Sequence, residues 1–179
     1  MHTLIVVAAQ YLLYVLALVA AVVWLILDRR GKAVLAAQAV IGLALVFIGI
    51  EIAAHLHTDL RPFVRDAHQT PFFPHANDNG FPSDHSAAAG LLAVLVFRWK
   101  WLVGVLVAAG GAVVAWARVA AHVHHLQDVV AGLLIGAAAG ALAIWFVRLL
   151  IAAARRRGFS TGILALTTAD RHERGRRSG

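Results

Sequence analysis

Apolar residues fill this chain in long stretches broken by short polar ones. Residues 4–27 run 24 positions without a charge, more than the ~20 needed to cross a hydrocarbon core of ~30 Å. Residues 33–54 and 126–150 are also long enough to span. Two shorter stretches, 83–98 and 101–117, bring the predicted helices to five, and Gly110-Gly111 weakens the second of them. A sixth, short helix fits between 55 and 82. All four prolines (Pro62, Pro71, Pro74 and Pro82) fall in residues 62–82. Proline disfavours helix at its own position and at its predecessor, so this segment reads as a long irregular loop, a length that tends to carry function. Gly132, Gly136 and Gly140 repeat every four residues on one face of the last helix, a spacing that lets another helix approach closely.

The pattern predicts an all-α, polytopic transmembrane bundle. Composition agrees: the chain has 179 residues, 61% of them apolar, with mean hydropathy +0.78, where a soluble domain is about half apolar. The first stretch is expected to be a retained helix, because no basic segment precedes it and it is too long for a signal peptide. One membrane domain is expected over 1–157, followed by a basic tail over 158–179. Its apolar part, 158–170, is expected on the membrane surface, and 171–179 disordered.

Charge sets an expected orientation. Thirteen of the 16 Lys and Arg fall on one side: Arg29, Arg30, Lys32, Arg98, Lys100, Arg148, Arg155 to Arg157 and four tail arginines. Only Arg61, Arg65 and Arg118 fall on the other. The richer side is expected in the cytoplasm, which puts the N-terminus and the polar loops outside. The net charge of +7 flanks apolar helices, so anionic lipid is the expected partner of the basic face and nucleic acid is not. No cysteine is present, which excludes disulfides, thiolate metal sites and a cysteine nucleophile.

Three polar islands carry candidate chemistry. Arg61-Pro62 offers a planar guanidinium suited to phosphate oxygens. Pro82-Ser83-Asp84-His85 reads as a helix start, where free backbone N–H groups bind phosphate. As a bare helix cap Ser83 would do no more than bond the first turn; as a ligand it donates to a phosphate oxygen, and His85 supplies a proton. Arg118 ends an apolar helix, a place where arginine also serves simply to snorkel. His124 and Asp128 lie four apart, so the carboxylate is expected to accept from one ring nitrogen and leave the other free to attack phosphorus. A structural His–Asp pair is the plainer alternative. Eight of ten histidines lie between His55 and His125. His122, His124, His125 and Asp128, with His55 and His57, also have metal-ligand character, but nearby arginines would repel a divalent cation, and no metal or other cofactor is expected. Glu51, near the outer end of the second helix, is expected to position a loop arginine or histidine, since a buried membrane acid is costly without a partner.

Arg-Pro, Pro-Ser-Asp-His and Arg-x5-His-x3-Asp, in this order, resemble the motifs of the type 2 phosphatidic acid phosphatase superfamily. The resemblance covers residues 54 to 128. It implies a helix bundle of the acid phosphatase–vanadium haloperoxidase type with five to six membrane helices. Asp84, where most members have glycine, is similar to the bacterial undecaprenyl-diphosphate phosphatases of the bacitracin-resistance type. The family lysine falls on Ala54 and the serine before the third-motif arginine on Ala117. Arg65, His55 or His57 is the expected substitute for the lysine. The resemblance implies His124 as nucleophile, Asp128 as its orienting partner and His85 as acid and base. Arg61, Ser83, Asp84 and Arg118 would hold the phosphate. It implies hydrolysis of a lipid-linked phosphate, expected to be undecaprenyl diphosphate. Phosphatidic acid and phosphatidylglycerol phosphate are the alternatives, and a metal-binding membrane protein or a non-catalytic lipid-diphosphate binder the alternatives of another class.

Overall fold

A computed structural model describes residues 1–156; the expected basic tail lies outside the described residues. Six helices follow in order: α1 His2–Ile26, α2 Arg29–Leu56, α3 Pro62–Arg65, α4 Asp84–Trp99, α5 Trp101–Ala120 and α6 Leu126–Arg156. The five apolar stretches are the five long helices. The short helix anticipated between 55 and 82 is the single turn α3, with Pro62 at its first position, where a missing N–H costs nothing. Four helices, α1, α2, α5 and α6, are long and apolar enough to cross a membrane, which makes this a multi-pass membrane protein. The fifth expected span, α4, has 16 residues, about 24 Å of helix.

α4 is the interior helix. Ala87, Leu91 and Leu95 on one face pack with Leu35 and Val46 of α2 and with Ala139 and Ile144 of α6. Ala89 and Val96 on the other pack with Leu16 and Val23 of α1 and with Val107 and Val114 of α5. Leu4, Leu18, Phe47, Leu106 and Leu134 stay exposed on the surrounding helices, as surfaces that face lipid do. The glycine repeat of α6 meets α4. A Cβ at Gly132 or Gly136 would strike the carbonyls of Ser83 or Ala87, so the two helices touch backbone to backbone.

A third cluster joins Ala9 of α1, Ala117 of α5, Phe73, Ala121 and Val123. His2 stacks on Phe72 at 3.8 Å between ring centroids, so the N-terminus and both polar loops share one end of the bundle. At the other end Asp28 caps α2 through Gly31 N–H at 2.8 Å, and Leu27 packs near Trp99. These contacts lie in the compact unit Met1–Ile144; a second unit begins at Trp145 and, within the described residues, is the end of α6.

Candidate active site

The loop from 66 to 83 folds over the ends of α5 and α6 and closes the site. Turn-forming Asn and Gly residues dominate its last part. Asn79 Oδ1 accepts from the Asp59 and Phe81 N–H groups, both at 3.0 Å, and its Nδ2 reaches the His57 carbonyl at 3.2 Å. Gly80 N–H donates to the Asp59 carbonyl at 2.8 Å. The chain then turns into α4 through a cis Phe81–Pro82 bond. Ser83 N–H donates to the Asp128 carbonyl at 3.0 Å, which locks the second polar island onto the third.

Arg61, Ser83, Arg118, His124 and Asp128, far apart in sequence, converge and are buried. The His124 ring is held by both edges. Its Nδ1 lies 2.9 Å from the Gly80 carbonyl and 3.4 Å from Asp128 Oδ2. A carbonyl only accepts, so Nδ1 carries the proton and Nε2 the lone pair. Nε2 faces Arg118 Nη2 at 3.3 Å and Arg61 Nη1 at 3.4 Å, donors that cannot deprotonate. Burial lowers the His124 pKa; the Asp128 contact opposes this, and the Arg118 and Arg61 charges reinforce it. A neutral imidazole with its lone pair between two guanidinium groups is therefore the resting state.

Asp128 meets the His124 ring nitrogen as expected, but it shares that nitrogen with a second acceptor. The nearer acceptor of the His124 ring is the Gly80 carbonyl, because the loop places it in line with Nδ1. Asp128 Oδ2 also accepts from the His125 N–H at 2.8 Å, and Asp128 Oδ1 has no hydrogen-bond partner among the described residues.

Each arginine is aimed by further groups. Arg61 Nε donates to Asp78 Oδ1 at 2.7 Å and Nη1 to the Val123 carbonyl at 2.8 Å. Burial alone would raise the Asp78 pKa, yet the Arg61 bond and charge leave it lowered. Arg118 Nη2 lies 2.9 Å from His75 Nε2, and its guanidinium lies 5.6 Å from the Phe73 ring centroid. Ser83 precedes α4 without a side-chain cap bond. Its Oγ accepts from Ser86 Oγ at 3.2 Å, which leaves its own proton free for a ligand. Asp84 is exposed in the first turn of α4. His85 is partly buried, and Arg118, His124 and His75 act on it electrostatically.

Several expected residues stand elsewhere. Glu51 is exposed and its nearest ionic neighbour is exposed His55, at 3.9 Å, so it positions no loop group. None of the proposed substitutes for the lysine joins the cluster: His55 turns back to the Glu51 carbonyl, His57 lies edge-on to Phe81, and Arg65 lies 3.8 Å from Asp59. His122 leans on Phe72 and the Thr70 carbonyl, away from the ligand set suggested for a metal. Asp59, His125 and Asp128 do bring ligand atoms within 4.8 Å of one another. Within that group Asp59 Oδ2 lies 2.7 Å from His125 Nδ1 and accepts from Gln127 Nε2 at 2.6 Å. Asp59, Asp78, Asn79, Gly80 and His75 were not singled out in the sequence. The cluster Asn77-Asp78-Asn79-Gly80 signals only a turn.

The profile of the PAP2 superfamily matches residues 35–152. The chain is 30% identical over 143 residues to the bacitracin transport permease protein BcrC of Bacillus licheniformis, covering 76% of this chain and 67% of that one. It is 34% identical over 129 residues to the Escherichia coli (strain K12) protein YbjG, named "Putative undecaprenyl-diphosphatase", covering 72% of this chain and 64% of that one. The chain belongs to the PAP2 superfamily. Solved PAP2 structures share its fold. Aquifex aeolicus LpxE superposes with a TM-score of 0.66 at 21% identity, over 80% of this chain and 84% of that one. The Bacillus subtilis PAP2-type phosphatidylglycerolphosphate phosphatase gives 0.53 at 20% identity, over 81% and 74%.

Proposed function

We propose that the protein is a membrane lipid phosphatase that converts undecaprenyl diphosphate to undecaprenyl phosphate and inorganic phosphate at the outer face of a bacterial plasma membrane. The observation that carries the chemistry is the His124 ring, with Nδ1 tied to Gly80 and a free Nε2 between Arg61 and Arg118. Asp84 in the second island and the likeness to YbjG, whose printed name is that of a putative undecaprenyl-diphosphatase, support the substrate. The orientation follows from the charge count, with Arg29, Arg30, Lys32 and Lys100 at the end opposite the site.

His124 Nε2 attacks the terminal phosphorus as the bond to the bridging oxygen breaks, and a phosphohistidine forms. His85 takes up a proton from water as the bound diphosphate brings negative charge beside it, gives that proton to the departing oxygen, then takes one from the water that opens the phosphohistidine. Arg61, Arg118, the Ser83 hydroxyl and the N–H groups at the start of α4, Asp84 included, hold the equatorial oxygens as charge builds. Asp128 stabilises the imidazolium side of the ring.

Phosphate release from undecaprenyl diphosphate and from phosphatidic acid, by purified protein in detergent with EDTA, tests this reading. Release from the diphosphate at the higher kcat/KM is expected, with none from His124→Ala. A preference for phosphatidic acid would overturn the substrate. Loss of activity on chelation would replace the mechanism with one using the Asp59, His125 and Asp128 cluster.

A further inference from the structure

Ala54 leaves the phosphate site one cation short of the family pattern, and none of the groups near it in sequence fills the gap. His75 is placed to do so. It stands outside all three motifs, on the loop that closes the site. Its Nε2 is 2.9 Å from Arg118 Nη2, and its ring lies edge-on to that of His124, with 6.2 Å between centroids. The edge that meets Arg118 thus shares one guanidinium nitrogen, Nη2, with the free Nε2 of His124.

We propose that His75 is a phosphate-binding residue: when a phosphate enters between Arg61 and Arg118, His75 Nε2 changes from acceptor of the Arg118 bond to donor toward a phosphate oxygen, and so replaces the lysine lost at position 54. This rests on the phosphatase reading above.

The charges around His75 make such a change feasible. Arg61 and Arg118 face it from two other elements, His124 and His85 are electrostatically coupled to it, and Asp78 lies on its own loop. In the empty site burial, then the Arg61 and Arg118 charges, push its pKa down to about 4, so the ring is neutral. A phosphate carrying up to two negative charges reverses the local field and favours the imidazolium. The proton has a source in the ligand. The terminal phosphate of a diphosphate, like a phosphomonoester, loses its last proton near pH ~6 and arrives partly with that proton on. That proton passes to Nε2 and remains between nitrogen and oxygen as the hydrogen bond. Nothing is oxidised or reduced, and one charge-assisted bond is gained.

Orthovanadate, a phosphate-shaped anion, is the probe. Its Kd is measured by titration calorimetry on the full protein in detergent, with wild type, His75→Gln and His75→Ala, from mildly acidic to mildly alkaline pH. Glutamine can still accept from Arg118 through its amide oxygen but cannot become a cation. The expected result is a roughly 10- to 100-fold weaker Kd in both variants, and in both a shallower pH dependence than wild type shows. Nitrogen NMR of histidine-labelled wild type should show His75 taking up a proton when vanadate binds. Wild-type affinity in His75→Gln with weakening only in His75→Ala would reduce His75 to a prop for Arg118 and overturn the proposal. A ring that stays neutral in the vanadate complex would overturn it too, without reference to either variant. Vanadate binding by wild type without lipid phosphate release would defeat the phosphatase reading instead.

Discussion

The imidazole of His124 is oriented by a backbone carbonyl, that of Gly80, 2.9 Å from Nδ1, while the Asp128 carboxylate stands off at 3.4 Å. Tautomer and charge are therefore controlled by two different groups. Where a carboxylate alone fixes the tautomer of a catalytic histidine, its amide replacement costs about 10⁴ in rate. Here Asp128→Asn keeps the Gly80 bond and removes only the charge. A loss of roughly 100-fold in kcat is expected, equivalent to ~3 kcal/mol. His124→Ala leaves no phosphohistidine in the quenched enzyme. Rapid-quench phosphate release separates the two.

Burial also predicts a pH response. His75 and His124 have folded pKa values below the ordinary value of 6.5, with His75 at about 4. Below 6.5 the unfolded chain binds more protons than the folded one, so stability falls as pH falls. The loss begins near 6.5 and for His75 is complete only at about 4. Thermal unfolding in detergent across this window should show Tm decreasing with acid, and less steeply in His75→Gln.

The contact between α4 and α6 admits no side chain at Gly136, where a Cβ would meet the Ala87 carbonyl. Gly136→Val should cost about 3 kcal/mol or more and reduce activity with stability, because the bond between Ser83 and Asp128 spans the same contact. Gly110→Ala meets only the flexible end of Leu16, at 2.7 Å, and should stay near wild type. Thermal inactivation of the two variants is the comparison.

Asn79 ties the loop to the Ala54 carbonyl of α2 and to Asp59. Asn79→Ala leaves the Asp59 and Phe81 N–H groups without their acceptor, at a cost of about 1–3 kcal/mol for a buried donor. The Gly80 carbonyl should then lose its fixed place. A fall in kcat larger than the rise in KM is expected in steady-state assays.

Glu51 is exposed beside an exposed histidine, an arrangement that contributes little at a surface. Glu51→Gln should leave both Tm and phosphate release at wild-type values.

Much of this molecule is legible in the chain. Long apolar stretches must become helices in a bilayer, since no water is there to satisfy the backbone, and residues 4–27, 33–54, 83–98, 101–117 and 126–150 did so. The spacing of Gly132, Gly136 and Gly140 announced a close helix contact, and Arg61, Ser83, Arg118, His124 and Asp128 did meet in one buried cluster. Tertiary structure decided what local pattern does not encode. The partner of the glycine face is α4, a pairing set by packing. The partner of His124 Nδ1 is a carbonyl, which every residue carries and no sequence pattern marks. His75 and Asp78 reach Arg118 and Arg61 from 43 and 17 residues away, on a loop whose composition says only that it turns. Helix and charge distribution follow from local chemistry; the aim of each ring and guanidinium depends on contacts the folded loop alone creates.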